Sequence, residues 1–392
     1  MIQVQYLSQP IFTMLPTIST IPLRHMASGD VLSLQVYKFI GAQPGKKVYI
    51  QSNLHGAEIA GNAVIYQLIE FLQTINETDL SGEIWLVPVC NPISTNVRSH
   101  VFSSGRFCSY EGKDWNRIFW DYEKYADDLL AFAKSQINFE PEVIRKNYLA
   151  QIQEKFAKIL EKINSSTGVP YTERFSYKLQ SLCLDADYLI DLHSYTNQAL
   201  NYLYLFRNRE ESAKYFLLPF GIQFVEFDKC EEDAFDKTFI QPWLALEQYF
   251  KQLGREIRFD IEAWTLELGT GMQMNPDSVE KGLRGVKNYL AYKKVLQISG
   301  FPLKESESYQ MLLKSRSQMK KYYAPTGGMI QSRVELGTSV KAGERLYQIL
   351  NFNKEGKLPT VIDVSAEQDG LVYDISANQA VNEGELVLGI IE

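Results

Sequence analysis

The run ADYLIDLHSY, residues 186–195, is apolar nearly throughout and turns polar at its end. A strand with one wet face alternates apolar and polar residues. A near-continuous apolar run belongs instead to a strand covered on both faces, as in parallel sheets. KKVYIQS (46–52), SGEIWLVPVCNP (81–92) and RFDIEAWTLELG (258–269) are further strand candidates, as are VLSLQVYKFI, YLYLFRN and IQFVEFD. Between them helical spacing recurs, in HGAEIAGNAVIYQLIEFL, QPWLALEQYFKQLG and SVEKGLRGVKNYLAYKKVLQIS. Residues 122 to about 162 are helical in spacing as well. Strands alternating with helices predict an α/β fold whose mixed, partly parallel sheet lies between two helical layers.

Composition narrows the function classes. The chain has 392 residues, 45 % hydrophobic and 22 % charged, enough for a large core and more than one domain. A net charge of −7 with no long basic run argues against nucleic-acid or anionic-membrane partners. No apolar run reaches the roughly 18 residues of a membrane span, and the first residues read as no signal peptide. Cys90, Cys108, Cys183 and Cys230 are scattered, as expected of free thiols in a reducing cytoplasm.

The texture changes near residue 318. From Ala324 and again from Ser365 the chain repeats itself: Ala324 matches Ala366, Gly328 matches Gly370, and Ile330 matches Val372. With one residue dropped, Val340 matches Val381 and Gly343-Glu344 matches Gly384-Glu385. Short strands with glycine turns in a two-fold repeat predict a separate all-β domain over 318–392. The repeat resembles the halves of a biotinyl/lipoyl-type barrel-sandwich. The connection NFNKEGKLPTVID holds Lys354 and Lys357 but lacks the Met-Lys-type motif of a carrier lysine, so a structural or lid role is expected.

Four features carry the chemistry. His55 and Glu58, in a histidine-poor chain, sit where a strand gives way to a helix, spaced to point the same way. His193 ends the buried run ADYLIDLHSY, at the sheet edge where open α/β folds place ligands. Asp191, two residues earlier, shares its strand face and is read either as orienting a ligand or as pairing with a helix N-terminus. Glu267 sits inside the apolar WTLELGTG, where a carboxylate is costly unless paired or used as a base. In GKDWNRIF, Asn116 and Arg117 are adjacent, and arginine's planar fork suits a carboxylate. A metal site with an open position needs three converging nitrogen or oxygen ligands. Taken singly, each feature has an ordinary structural explanation.

Taken in chain order, as HxxE, Asn-Pro, Asp-x-Asn-Arg, Asp-x-His and a buried Glu before Gly, the features resemble the zinc carboxypeptidase superfamily, and more closely its succinylglutamate desuccinylase/aspartoacylase branch. The resemblance covers essentially the whole chain, although its clear motifs occupy a few dozen residues. It implies a three-layer zinc-peptidase-like catalytic domain over 1–317 and a C-terminal β domain. It also implies that His55, Glu58 and His193 ligate one Zn²⁺, that Glu267 is the general base, and that Asn116 and Arg117 grip a substrate carboxylate. Asp114 would orient the first histidine, with Asp191 as a further outer partner. An arginine steadies the oxyanion in the family. Arg98 and Arg106 are the candidates, with Arg106 preferred and Arg98 left as a substrate contact. Two departures bear on substrate: GKDWNR stands where GRDLNR is common, and the helical stretch of about 121–180 is longer than expected. That stretch is read as a cover over the pocket mouth or a dimer surface. His25 and His100 match no ligand position and are read as surface or packing residues.

The expected activity is hydrolysis of the amide bond of an N-acylated amino acid or similar small amide, in the cytoplasm, by a chain suited to homo-oligomer formation. The rival enzyme is a zinc carboxypeptidase acting on peptides. A rival of another class is a non-catalytic metal-binding or interaction protein, which loss of Glu267 would have favoured.

Overall fold

The computed structural model describes residues 13–125, 128–164, 168–224, 233–352, 354 and 356–392. A nine-stranded mixed sheet organises the first part of the chain. In spatial order its strands are Thr17–His25, Val31–Ile40, Ser81–Val87, Gln43–Ser52, Tyr188–Tyr195, Glu262–Thr270, Asn201–Phe206, Phe220–Phe224 and Leu312–Ser315. Ser81–Val87, Gln43–Ser52, Tyr188–Tyr195 and Glu262–Thr270 run parallel to one another, so their C-terminal ends meet at one edge.

The apolar runs divide cleanly between the two faces. Val48, Ile50, Ile190, Leu192, Leu266 and Leu268 pack with the helices Ala60–Thr74 and Pro276–Tyr292. Tyr49, Leu189 and Ala263 pack on the opposite face with the helix Phe235–Gln252. Alternation along each strand therefore buries both of its faces, as the near-continuous hydrophobicity required.

The helical stretch after residue 121 belongs to this second layer. It contains helices Leu129–Ser135, Pro141–Asn164 and Tyr171–Gln180. Ile144, Tyr148, Ile152, Phe156, Phe175 and Leu179 lie in the same core as Trp243 and Phe250. It also accounts for the unusual tryptophan of GKDWNR. Trp115 is fully buried, edge-on to Phe175 at 5.2 Å and to Tyr171 at 6.2 Å. The stretch thus buttresses the loop that carries Asp114 to Arg117.

Residues 319–391 form two open antiparallel sheets that share one core, and neither closes into a barrel. The repeat is visible in their hydrogen bonds. Ala324 N donates to Glu385 O and Ala366 N donates to Glu344 O, both at 2.8 Å. Gly384 N donates to Ala324 O and Gly343 N donates to Ala366 O, again both at 2.8 Å. Equivalent strands fall in opposite sheets: Gly328–Gln331 with Gly370–Ile375, and Arg345–Asn351 with Leu386–Ile391. Gly328 and Gly370 are glycines for one reason, since a Cβ on either would meet a carbonyl oxygen at 2.5 and 2.6 Å respectively. Part of the connection holding Lys354 and Lys357 lies outside the described residues.

The two parts meet through an added strand. Gln198–Ala199, just after Tyr188–Tyr195, pairs with Gly370–Ile375 of the C-terminal sheet. Tyr373 then packs edge-on to Tyr202, at 6.1 Å. No helix among the described residues is long and apolar enough to cross a membrane. Cys90, Cys108 and Cys183 are buried free thiols, and Cys230 lies outside the described residues.

Candidate active site

Three parallel strands deliver the site. Asp191 and His193 project from the face that carries Leu189, with His193 at the C-terminal edge. Glu267 is the register partner of His193 on the next strand, and Tyr202 pairs with Glu267 on its other side. His55 and Glu58 follow the end of Gln43–Ser52, in a turn closed by Glu58 N donating to His55 O at 3.0 Å. Asn53 shapes that turn. Its φ is 66°, a left-handed conformation that asparagine tolerates better than most residues. Its side-chain amide donates to the carbonyls of His55 (3.1 Å) and Glu58 (3.3 Å).

Glu58 is the hub. Its two oxygens meet His55 Nδ1 at 2.9 Å and His193 Nδ1 at 2.7 Å. The outer nitrogens face carboxylates: His55 Nε2 lies 3.0 Å from Asp114, and His193 Nε2 lies 2.9 Å from Asp191. All three central residues are buried, with one ligand-type atom from each within 4.8 Å of the others. The donor set fits a divalent cation. Inner Nδ1 atoms and one carboxylate converge, while each outer imidazole nitrogen faces an aspartate oxygen at about hydrogen-bond distance, as in metal-ligating histidines.

The electrostatics argue the same way. Burial works to lower the His55 pKa, yet Glu58 and Asp114 raise it above its usual value. Burial opposes protonation of His193 too, but Asp191 and Glu58 push it well up. Burial would raise the Glu58 carboxyl, and the two histidines hold it far below the carboxylate range instead. The carboxylates thus demand two positive charges between them, which two protons or one divalent ion supply.

Glu267 behaves differently. Burial, and then the nearby Glu58, raise its carboxyl to about 7. Its Oε2 is buried and accepts no hydrogen bond from any described residue. This is a desolvated carboxylate poised near neutrality beside the cluster, the form a general base takes.

Arg106, not Arg98, reaches the cluster. Arg106 Nε pairs with Asp114 at 3.0 Å, and its Nη1 is 3.8 Å from Glu58. Its loop is seated by two glycines: Gly56 N donates to Gly105 O at 3.0 Å, and a Cβ on either would come within 1.9 Å of Ser94 O. Arg98 is exposed on the small hairpin of Arg98–Ser99 and Phe102–Ser103 and donates to Thr95 O and Val97 O, so it stands outside the cluster. Asn116 is buried, and its side-chain oxygen is already bound by Phe235 N at 2.8 Å, at the start of a core helix. Arg117, half-buried, donates to Asn116 O at 2.6 Å. His25 and His100 are exposed and do not join the cluster.

A buried layer below the histidines was not anticipated. Gln51 and Asp191 are register partners, as are Asp191 and Thr265. Tyr49 OH donates to Gln51 Oε1 and Gln51 Nε2 donates to Asp191 Oδ1, both at 3.0 Å. Thr265 Oγ1 donates to Asp236 Oδ2 at 2.7 Å. The only sequence signal for Gln51 was a polar residue at the end of an apolar strand. Replacing Gln51 with methionine keeps the bulk and leaves Asp191 one donor short. Such outer partners are worth about 10- to 100-fold in metal affinity, so an added divalent cation should bind that much more weakly in competition with a chromophoric chelator.

Relatives support this frame. Residues 44–138 match the family model described as succinylglutamate desuccinylase/aspartoacylase catalytic domain. A protein of Shewanella frigidimarina carrying that name is 26 % identical, with a TM-score of 0.84 over 96 % of this chain and 97 % of its own. Over residues 44–138 the chain matches the catalytic-domain model of the succinylglutamate desuccinylase/aspartoacylase family, and along nearly its whole length it resembles structures that carry the family's name. A family protein of Shewanella amazonensis is 28 % identical, with a TM-score of 0.81 over 96 % of this chain and 98 % of its own. The product-bound ectoine utilization protein EutE of Ruegeria pomeroyi shares the fold at 16 % identity, with a TM-score of 0.63 over 97 % and 99 %. No curated protein matches the sequence. By its name the family is one of deacylases, and the convergence of His55, Glu58 and His193 stands on a mixed α/β frame common to these structures.

Proposed function

We propose that this protein is a zinc-dependent deacylase that hydrolyses the amide bond of an N-acylated amino acid or similar small amide. The observation that carries this reading is the pairing of the His55–Glu58–His193 cluster with a register-matched, buried Glu267 whose carboxyl is free to take a proton. The three cluster residues would hold the ion. When bound, zinc polarises a carbonyl and acidifies water. Glu267 takes the proton from the attacking water and returns it to the leaving amine. Arg106 turns from Asp114 toward the developing oxyanion. Arg117, with the amide of Asn116, anchors the substrate carboxylate and so fixes the scissile bond. Asp114 and Asp191 keep each histidine's inner nitrogen presented to the ion.

The domain reading belongs to the same proposal. Residues 1–317 are the hydrolase unit, and 318–392 are a β unit of the biotinyl/lipoyl type without a carrier lysine. Tyr373 of that unit packs on Tyr202 beside the strand of Glu267, and this contact supports a role in narrowing the pocket against peptides. The name of the ectoine utilization protein, solved with its product bound, fits a small-molecule substrate.

The test is free-amine release from N-acetyl, N-succinyl and longer N-acyl amino acids, with C-terminal dipeptides as controls. Cleavage of acylated amino acids with the dipeptides left intact is the expected result. Cleavage of the dipeptides alone would overturn it in favour of a carboxypeptidase.

A further inference from the structure

A second cleft, of about 900 Å³, opens beside the loop that carries Asp114. Strand Thr17–His25 runs in the direction of the parallel core, so its last residues reach the same sheet edge as the histidines. Those residues form one wall, and the loop holding Glu111 and Lys113 forms another. The third is one face of Tyr171–Gln180. Tyr171, Arg174 and Lys178, spaced three and four apart, point outward together, while Phe175 and Leu179 face the core.

The charge in this cleft is one-sided. Arg24 lies over the Tyr171 ring at 5.0 Å, and Lys178 Nζ donates to Pro22 O at 2.6 Å. Arg174 and Lys113 complete the cationic wall. Glu111 is the one acid among the described lining residues, and its partners are Thr172 and Lys113. Its carboxylate accepts from Thr172 N (3.2 Å) and Thr172 Oγ1 (2.5 Å), with Lys113 Nζ at 3.8 Å. Among the described residues no carboxylate comes within ion-pair distance of Arg24, Arg174 or Lys178. Burial first, and then Arg174, hold the Lys178 ammonium below its ordinary pKa. In a chain of net charge −7, three neighbouring cations with no carboxylate partner among the described residues are a local reversal of the overall field.

We propose that this cleft is a binding site for a small polyanion, a phosphate or carboxylate compound with at least two negative charges. Arg174 and Lys178 face it from the helix, Lys113 from the loop and Arg24 from the strand. Guanidinium forks suit paired oxygens of either chemistry. Apolar lining residues, Leu23 and Val169 among them, suit the carbon body of such a ligand. The site shares no residue with the proposed deacylase machinery and stands or falls independently of it.

The test is isothermal titration of the full chain with pyrophosphate and, separately, with citrate, which distinguishes the two chemistries. Saturable binding of at least one of them at one site per chain is expected. Affinity should fall about tenfold or more in Arg174→Gln/Lys178→Gln, since charge-assisted hydrogen bonds are lost. Arg24→Gln, on a separate element, should weaken it too and serves if the double variant misfolds. Arg106→Gln should leave affinity unchanged. Absence of binding by both anions, wild-type affinity in the cleft variants, or loss in Arg106→Gln would each overturn the proposal.

Discussion

Replacing Glu267 with glutamine should lower amide hydrolysis by about a hundred- to ten-thousandfold, the range for removing a positioned general base, and should make the metal-free protein more stable. The two effects have one cause. Burial raises this carboxyl to about 7, so the fold holds a group that ionises less readily there than in the unfolded chain. The sign follows from linkage. The contribution of the protonated form is fully present below the unfolded pKa, near 4.5, and is lost as pH rises through about 7. Glutamine is neutral throughout. Chemical denaturation of the metal-free proteins should therefore give nearly equal stabilities near pH 4.5 and a gap favouring the variant on the order of 3 kcal/mol at pH 8. Activity runs the other way, with the wild-type rate falling on the acid side as Glu267 takes up its proton. A variant that is inactive and no more stable at pH 8 than at pH 4.5 would deny Glu267 its desolvated state. One that keeps the wild-type rate with zinc bound would deny it the role of base.

The residues that were legible in the sequence share a property. His193 and Glu267 each interrupt or end an apolar strand, and a polar side chain there is costly enough to stand out. The sheet then places both at one edge with little freedom, because register fixes the pairing. Gln51, Asn53 and Gly105 act through loop shape or through a neighbouring strand, and single polar or small residues next to a turn look like turn residues. Arg106 could not be separated from Arg98 because the choice depends on how a short hairpin folds back. The edge strand Leu312–Ser315 is partly exposed and too short to show a period. Pro242 hid the start of its helix, since proline reads as a first-turn residue. In the structure it sits inside Phe235–Gln252, where the core around Trp243 and Tyr148 overrides local preference. The β repeat was legible because glycine turns leave a periodic mark, but its sheets are open, and closure depends on strand tilt that no spacing encodes.

Zinc affinity of the metal-free protein should rise steeply with pH, because the ion and two protons compete for the same cavity. His55 and His193 are both raised above the ordinary imidazole range, each with its inner nitrogen turned to Glu58. A metal accepts only the neutral ring, so both inner protons must leave when the ion enters. The protonated histidines belong to the low-pH side, and their competition disappears as pH passes their raised pKa values. Log Kd against pH should thus approach a slope of minus two below those values and flatten above them. Calorimetry in buffers of different ionisation enthalpy should find up to two protons released per ion. His193→Gln, which cannot hold the second proton, should halve that number, and its activity should not return when zinc is restored after chelation, whereas the wild type's should. An ion held at 100 to 1,000 times its Kd stabilises the folded chain by about 2.7–4.1 kcal/mol, so chelation should also lower the melting temperature of the wild type more than that of His193→Gln. A flat pH dependence would mean that the cation sits elsewhere. The inward nitrogens would then be hydrogen-bond donors to Glu58 and nothing more.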